Sequence, residues 1–275
     1  MNPTFKIESS ATTGRKTKIV FLLAMDTVSF IVFGENNKCL SLYSYHLAAE
    51  TSAGTAAAPL KEIILSQHLP AADVDEIVFI FGYPTALIVP NGFAVETSGK
   101  EMLELIFGDQ SDSFIKTDIC PDQNRQTVYA VPQQIKAVTD YIFPSHITRH
   151  LYSLLPEIPS IAVNELYCIF YNSTFTAMLV KENKLQAIQT YQYKSPEDVV
   201  YYMLQLCESF EASVNDTNVH LNGMISEASN LYNGISKYFL NLQFEALPAG
   251  IDYPETINEY PAHYFSHLFA AAQCV

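Results

Sequence analysis

Two pairs of histidines are spaced so that both side chains of a pair could lie on one helix face and bind a metal ion. The pairs are His146 with His150, and His263 with His267. Zinc proteases of the H-E-x-x-H type carry a glutamate directly after the first histidine, whereas Ile147 and Tyr264 stand there in this sequence. We therefore expect structural or surface roles for these histidines and predict no metal site.

Other signatures of catalysis are missing from the sequence. It contains no glycine-rich phosphate loop, no G-x-G-x-x-G and no G-x-S-x-G, since Gly234-Ile235-Ser236 lacks the closing glycine. The five cysteines are scattered without a C-x-x-C pair, and three of them lie in apolar runs. This usage is typical of reduced, buried cysteines. We predict no catalytic residue and no cofactor.

The elements that would position any site form two runs with the same strand order. Tyr191 lies 146 residues after Tyr45, and Lys184 lies 146 residues after Lys38. This near-constant offset predicts an internal duplication. The strands are predicted at 19–25, 29–33 and 40–45 in the first run, and at 166–171, 174–180 and 185–193 in the second.

Each triple strand leads into a helix and a fourth strand. Ser195 is predicted to cap the helix of the second half, Gly223 ends the strand that follows, and Ser226 is expected to open a further helix. Both halves therefore follow the order β-β-β-α-β-α, which indicates mixed sheets covered by helices. The helix and fourth strand are predicted at 59–69 and 76–81 in the first half, and at about 196–210 and 218–222 in the second.

This organisation predicts an α/β protein of two lobes. Residues 1–160 form the first lobe, and a compact β-α-β-β subdomain is inserted in it at about 84–131. Residues 161–275 form the second lobe. Apolar side chains recur at helical spacing near the C-terminus, so a helix at about 260–273 is expected to pack back on that lobe.

Two tandem β-β-β-α-β-α halves resemble the actin-like ATPase fold, which is ribonuclease H-like. The insertion is similar to that of the cell-division actin homologue and of the actin-like protein of type IV pilus assembly. Three phrases resemble more closely an uncharacterised bacterial family with this fold, domain of unknown function 3822. The phrases are Leu87-Ile88-Val89-Pro90, Tyr129-Ala130-Val131-Pro132, and Pro196-Glu197-Asp198 with Tyr201-Tyr202. The resemblance covers roughly residues 19–247 and implies a bacterial protein with a duplicated actin-like fold.

The resemblance also implies where a nucleotide would bind. In active members each first hairpin carries an aspartate followed by glycines, whose main-chain N–H groups close around phosphate while the acid holds a metal-bound water. Here the first turn keeps Asp26 but continues with Thr27 and no glycine. Counting 146 residues onward places Asn172 at the corresponding point, and an amide has no charge to attract Mg²⁺.

The loop that faces adenosine in such proteins usually has two glycines, and this chain has only Gly223 there. That glycine either remains from a nucleotide pocket or merely ends a strand, and weak nucleotide binding near it stays an open alternative. The candidates for a remnant nucleotide site are Asp26, Thr27, Asn172, Ser173, Gly223 and Ser226.

Two hypotheses about function follow. The first is a non-catalytic, actin-fold scaffold or adaptor that binds a protein partner. The second is a nucleotide-binding switch or kinase-like enzyme with a degenerate ATP site, using Asp26, Asp198 or another acid. Four tyrosines either form a contact surface for the partner or pack between strand and helix: Tyr191, Tyr193, Tyr201 and Tyr202.

Charge and hydropathy restrict the partners further. Fifteen basic and twenty-nine acidic residues give a net charge of −14, which repels the phosphates of nucleic acids. The longest apolar stretch, residues 19–25, is far shorter than the roughly 18 residues that span a bilayer. The polar N-terminal segment does not resemble a cleaved signal peptide. We therefore expect a cytoplasmic protein with no membrane span and no nucleic-acid partner.

Overall fold

The computed structural model describes residues 1–9, 15–47, 55–67, 69, 74–91, 96–120, 124–155 and 164–275. The chain divides into two compact units. The first contains Met1–Leu154, Ala249–Ile257 and Val275, and the second contains Leu155–Pro248 and Asn258–Cys274. The predicted boundary between the lobes, at residue 160, lies outside the described residues.

Strands and helices alternate along the described parts of the chain. The strands are β1 (Phe5–Glu8), β2 (Lys16–Leu23), β3 (Thr27–Gly34), β4 (Cys39–His46), β5 (Glu76–Phe81), β6 (Ala86–Pro90), β7 (Ser113–Ile119), β8 (Arg125–Pro132), β9 (Ile147–His150), β10 (Asn164–Phe170), β11 (Thr174–Lys181), β12 (Lys184–Gln192), β13 (Asn218–Gly223) and β14 (Asn241–Phe244). The α-helices are α1 (Ala57–Ser66), α2 (Glu96–Phe107), α3 (Gln133–Ile142), α4 (Leu151–Leu154), α5 (Pro196–Ser209), α6 (Asn230–Ile235) and α7 (Ser266–Gln273).

The first unit is built on a six-stranded mixed sheet in the order β1-β4-β3-β2-β5-β9. β2, β3 and β4 are antiparallel, while β5 and β9 continue the sheet in parallel. Every residue of β3 is buried, as expected for a strand near the centre of a sheet. The rings of Phe21 and Phe79 stack with centroids 4.6 Å apart, which joins neighbouring strands in the core.

The inserted subdomain has the predicted β-α-β-β order and forms the antiparallel sheet β6-β8-β7. Leu103 of α2 packs on Val128 and Ala130 to give it a small core of its own. On β7, the buried carboxylate of Asp118 accepts a hydrogen bond from the backbone N–H of His150 at 2.6 Å. Burial raises the pKa of Asp118. This bond joins β7 of the inserted sheet to the end of β9 in the main sheet.

The second unit is built on the five-stranded sheet β12-β11-β10-β13-β14. The predicted cap of α5 is present: the hydroxyl of Ser195 accepts from the N–H of Asp198, whose carboxylate accepts from the N–H groups of Lys194 and Ser195. The buried face of α5 packs on the apolar face of the sheet through Val199, Met203 and Cys207, among others.

The two sheets share one strand order, since β4-β3-β2-β5-β9 and β12-β11-β10-β13-β14 have the same sequence of antiparallel and parallel pairs. Paired hydroxyls recur at one point of both sheets: the Oγ atoms of Ser29 and Ser44 lie 2.8 Å apart, as do the Oγ1 atoms of Thr176 and Thr190. This shared order is what a duplication requires. The predicted α/β fold with two mixed sheets is confirmed.

Two predicted helices have different bounds in the structure. Ser226 does not begin α6; the helix starts at Asn230 and is capped by the hydroxyl of Ser229, while Ser226 only accepts hydrogen bonds from Ser229. α7 begins at Ser266 rather than near residue 260, because short 3₁₀ turns at Glu255–Glu259 and Ala262–Tyr264 precede it. All five cysteines lie in the described ranges, and no disulfide joins any of them.

Candidate functional site

The first turn is a tight hairpin between β2 and β3. The N–H of Ala24 donates to the carbonyl of Thr27 at 2.9 Å, which leaves Met25 and Asp26 at the tip. Asp26 is 3% exposed, and its Oδ1 accepts a 3.2 Å hydrogen bond from the hydroxyl of Thr27. Its carbonyl accepts from the N–H of Leu47 at 2.8 Å. The acid and the neighbouring threonine are therefore held by contacts inside their own unit.

The second turn, between β10 and β11, is closed in the same way. The N–H of Tyr171 donates to the carbonyl of Thr174 at 2.8 Å, with Asn172 and Ser173 at the tip. Asn172 is exposed and Ser173 is half-buried. The N–H of Tyr193 donates to the carbonyl of Ser173 at 3.0 Å, so the residue that follows β12 supports this turn from the side.

These hydrogen bonds correct the predicted match between the turns. Ala24 corresponds to Tyr171, an offset of 147 residues, and therefore Asp26 corresponds to Ser173 and not to Asn172. The 146-residue offset applies further on, where Ser44 corresponds to Thr190. The stretch from Ser29 to Ser44 is one residue longer than the stretch from Thr176 to Thr190, so the offset between the two halves falls from 147 to 146 after the β3–β4 turn. The second turn lacks an acid in either alignment.

Gly223 ends β13 next to the second turn, because β10 and β13 are parallel neighbours. Its φ of +78° lies in the left-handed region, and a Cβ atom there would lie 2.2 Å from the carbonyl oxygen of Phe170. The adjacent N–H of Met224 donates to that same oxygen at 2.7 Å. Close approach of two backbones thus accounts for the glycine without a ligand.

The remaining polar candidates have structural partners. Ser226 lies three residues beyond Gly223 and accepts the hydroxyl of Ser229 at 2.6 Å. Asp198 is the helix cap described above, and its hydrogen bonds to backbone N–H groups lower its pKa. The structure thus places Asn172, Ser173 and Gly223 at the end of the second sheet where β10 and β13 finish, while Asp26 and Thr27 lie in the first unit.

The two members of each histidine pair lie in different elements, since His263 is in the 3₁₀ turn before α7 and His267 is in α7 itself. His146 precedes β9 and His150 ends it, so this pair does not share a helix. His150 is fully buried, its Nε2 lies 3.0 Å from the carbonyl of Tyr83, and burial lowers its pKa to about 3. Within the described ranges, no group of three or more histidine, cysteine or acidic side chains is placed to bind a metal.

Three of the four candidate tyrosines pack on the core. Tyr191 and Tyr202 stack with ring centroids 4.5 Å apart, and Tyr191 lies 5.3 Å from the buried ring of Phe175. The hydroxyl of Tyr193 donates to the carbonyl of Tyr171 at 2.7 Å. Only Tyr201 among these four is exposed, with 61% of its surface accessible.

Tyr201 lies on a groove of about 290 Å³ between α5 and the end of α6, referred to below as the tyrosine groove. Tyr238, 50% exposed, is the second aromatic side chain on it. Sequence reasoning missed Tyr238, because the groove depends on how α6 crosses α5 and not on spacing along either helix. The lining residues are Glu197, Val200, Tyr201, Leu204, Gly234, Lys237 and Tyr238.

Comparison with known proteins identifies the family. A family model described as "Protein of unknown function (DUF3822)" matches residues 6–242, most of the chain. The chain belongs to the DUF3822 family. No curated protein matches its sequence.

Solved structures show the fold of this DUF3822 protein. A Bacteroides thetaiotaomicron protein with an actin-like ATPase fold and unknown function superposes with a TM-score of 0.78 at 14% identity, covering 96% of this chain and 98% of that one. The PilM-PilN type IV pilus biogenesis complex contains a chain with a TM-score of 0.65 at 12% identity, covering 95% and 99%. The fold is therefore actin-like.

None of the helices in the described ranges combines the length and the apolar character that crossing a bilayer requires.

Proposed function

We propose that this DUF3822 protein is a non-catalytic, cytoplasmic actin-fold scaffold or adaptor that binds a protein partner through the tyrosine groove. The observation that carries the proposal is the exposure of Tyr201 and Tyr238 on one groove, at 61% and 50%. Tyrosine is enriched at protein interfaces and among the residues that dominate binding energy. PilM, a protein of the same fold, forms a biogenesis complex with PilN.

The occupant that fits the tyrosine groove is a helix of the partner with an apolar face and flanking basic residues. Two helices form the walls, and an amphipathic helix can lay its apolar face against Val200 and Leu204 between them. Glu197 and Lys237 give the groove lining one charge of each sign, while the whole chain has a net charge of −14. The net charge of the chain favours lysine or arginine on the partner over acidic residues.

The two hairpin turns support a role without hydrolysis. Phosphoryl transfer needs a bound metal ion, hydrogen-bond donors around the phosphate and a residue that orients the nucleophile. Asp26 is the single acid at the tips of the two turns, and Ser173 stands at the corresponding point of the second. The N–H groups of Ala24 and Tyr171 are used to close the turns.

The test compares groove variants with a matched control. The partner is captured from the native cell on tagged wild-type protein, identified, purified, and titrated against each variant by calorimetry. We expect Tyr201→Ala combined with Tyr238→Ala to weaken binding at least about tenfold, the loss typical of central aromatic contacts. Tyr141→Ala, which removes a 77% exposed tyrosine on α3, should leave the affinity unchanged. Equal affinity for the double variant and wild type would show that the partner binds elsewhere.

The alternative function is a nucleotide-binding switch or kinase-like enzyme with a degenerate ATP site. The retained acid Asp26, 3% exposed, is the observation that favours it. Calorimetric titration with ATP and Mg²⁺ separates this alternative from the scaffold: saturable binding that Asp26→Ala removes would support the switch.

A further inference from the structure

A second cavity, distinct from the tyrosine groove, lies in the second unit under α7. Its volume is about 310 Å³, at the lower end of the range of about 300–1,000 Å³ usual for small-molecule sites. One wall is the face of the sheet that carries Tyr167 and Ile169, and another is the α7 face that carries His267 and Ala270. The segment after β14, with Glu245 and Pro248, completes the lining, together with Leu155, Asn222, Ala246, Ser266, Gln273 and Cys274.

The charged part of this cavity wall is negative. Glu245 is the one charged residue among the described residues that line it, and its side chain is 29% exposed. Its Oε1 lies 2.6 Å from Nδ1 of His220, whose Nε2 lies 3.8 Å from Oε1 of the buried Glu165. Two glutamate side chains thus flank one imidazole.

Two further side chains of the wall admit a cationic ligand. The ring of Tyr167 is stacked on His220 with centroids 4.0 Å apart, so it is held in a fixed orientation and adds an uncharged aromatic surface to the wall. His267 is 8% exposed, and its buried Nδ1 has no hydrogen-bonding partner among the described residues. Burial lowers the pKa of His267 to about 3, so a neutral ring lines the cavity and repels no cation.

We propose that the cavity under α7 binds a small organic cation, an apolar or aromatic amine whose nitrogen lies against Glu245 and whose body lies against Ile169, Pro248 and Ala270. Apolar side chains would bury the body of the ligand, and Glu245 would select its charge. A polyanion such as ATP is repelled by the same carboxylate, so this site differs from a remnant nucleotide pocket.

Cys274 provides a direct readout, because it lines the cavity and is half-buried while the other four cysteines are buried. Burial raises the pKa of Cys39 to about 12 and of Cys207 to about 11, so these thiols react slowly. The full-length protein is treated with iodoacetamide, and modification of Cys274 is followed by mass spectrometry. The probe is 2-phenylethylamine at about 10 mM, a concentration suited to the millimolar affinity of a small fragment. Its control is phenylacetate, a body of similar size with the opposite charge.

We expect the amine to slow modification of Cys274 several-fold and to raise the melting temperature, with neither effect from phenylacetate. Glu245→Gln keeps the volume of the side chain but removes its charge, so it should lower the affinity for the amine at least about fivefold. Ala270→Phe should fill the cavity and abolish protection, whereas Ala228→Phe, at an exposed position before α6, should not.

Two results would overturn the proposal. Equal protection by amine and carboxylate, or an amine affinity unchanged in Glu245→Gln, would remove the role of charge. No protection of Cys274 and no thermal shift with the amine in wild-type protein would show that the cavity is not a cation site. The thermal shift is measured without iodoacetamide, so it decides the question even where Cys274 reacts slowly.

Discussion

Gly223 is the residue at which a functional and a structural interpretation differ most. It ends β13, where the resemblance to actin-like ATPases implies a loop that faces adenosine, yet its φ of +78° and the approach of Phe170 already require glycine. We expect Gly223→Ala to lower the melting temperature by about 4 °C or more, because alanine is strained there and its Cβ would overlap the Phe170 carbonyl.

The matched control for Gly223 is Gly234→Ala in α6. A Cβ atom at Gly234 would make ordinary contacts of 3.6 Å with the side chains of Pro196 and Val200. Alanine is also the better helix former by about 1 kcal/mol, so thermal unfolding should show no loss of stability. A Gly223→Ala variant as stable as wild type would mean that the backbone does not explain this glycine.

Two buried histidines predict a loss of stability in acid. Burial lowers the pKa of His150 and of His267 from 6.5 to about 3. Between these values the unfolded chain binds protons that the folded chain does not, so stability is complete above about pH 6.5 and falls as the pH drops toward 3. The pKa of Asp118 is raised by burial, so the folded chain binds a proton there more readily than the unfolded chain does. Its contribution to stability therefore grows as the pH falls and opposes that of the histidines.

The histidine prediction is checked by melting curves at constant ionic strength. We expect the melting temperature to fall by several degrees, about 5 °C, between pH 7 and pH 4.5. His150→Gln keeps a donor for the carbonyl of Tyr83 and an acceptor for the N–H of Tyr152, and should flatten the curve. His46→Gln, at the partly exposed end of β4, serves as the control. A His150→Gln curve parallel to that of wild type would contradict the assignment.

Single residues set the limit of what the sequence predicts about the candidate site. The two turns are found by sequence, because an apolar strand followed by a polar pair is a local pattern. The correspondence between Asp26 and Ser173 cannot be found from the sequence, since it depends on which backbone groups close each turn. The groove residue Tyr238 has no local signal, because it follows α6 and reaches the groove only once that helix has packed on α5.

At the scale of elements, a helix start that is marked by capping residues is predictable from the sequence. The bounds of a short element with little hydrophobic periodicity are not. The start of α5 is predictable because the residue types that favour a helix N-terminus stand there: Ser195 as the cap, Pro196 at the first position and Asp198 in the first turn. α6 is only six residues long, and its cap, Ser229, competes with the nearby hydroxyl of Ser226. β1 was not predicted, since Ile7 is the only buried side chain in it. A four-residue edge strand depends on pairing with β4 and not on its own pattern.

α7 yields a prediction at the same scale. Phe265, Leu268 and Phe269 are at most 2% exposed, and burying each such side chain is worth about 1.5–3 kcal/mol. Deleting the chain from Tyr260 onward should therefore remove most of the stability of the second unit, as a sharply lower melting temperature measured by circular dichroism. An unchanged melting curve would mean that α7 is not needed for the fold.

A matched pair of leucines checks that burial is the cause. Leu268→Ala should cost about 2–5 kcal/mol of unfolding free energy, because the side chain is 2% exposed. Leu240→Ala removes the same atoms from a leucine that is 71% exposed and should change the unfolding free energy by no more than about 0.5 kcal/mol. Similar losses in both variants would point to a cause other than burial.

At the scale of the whole molecule, the repeated strand order was predictable because most strands of each sheet follow one another along the chain. The sequence did not predict that residues 249–257 belong to the first unit. It depends on a bridge between Lys38 and Asp252, more than two hundred residues apart, and on the N–H of Cys39 donating to the carbonyl of Asp252 at 2.9 Å. Contacts at such separation leave no periodic trace in the sequence.

The central claim is that an actin-like fold persists here without ATP hydrolysis. The most direct test is release of inorganic phosphate from ATP with Mg²⁺, comparing the purified protein with Asp26→Ala. The two hairpin tips carry one acid, and the N–H groups of Ala24 and Tyr171 are used to close the turns, so we propose that phosphoryl transfer is not supported here. We predict background release from both proteins. Release by wild type that disappears in Asp26→Ala would contradict the account and favour the kinase-like alternative.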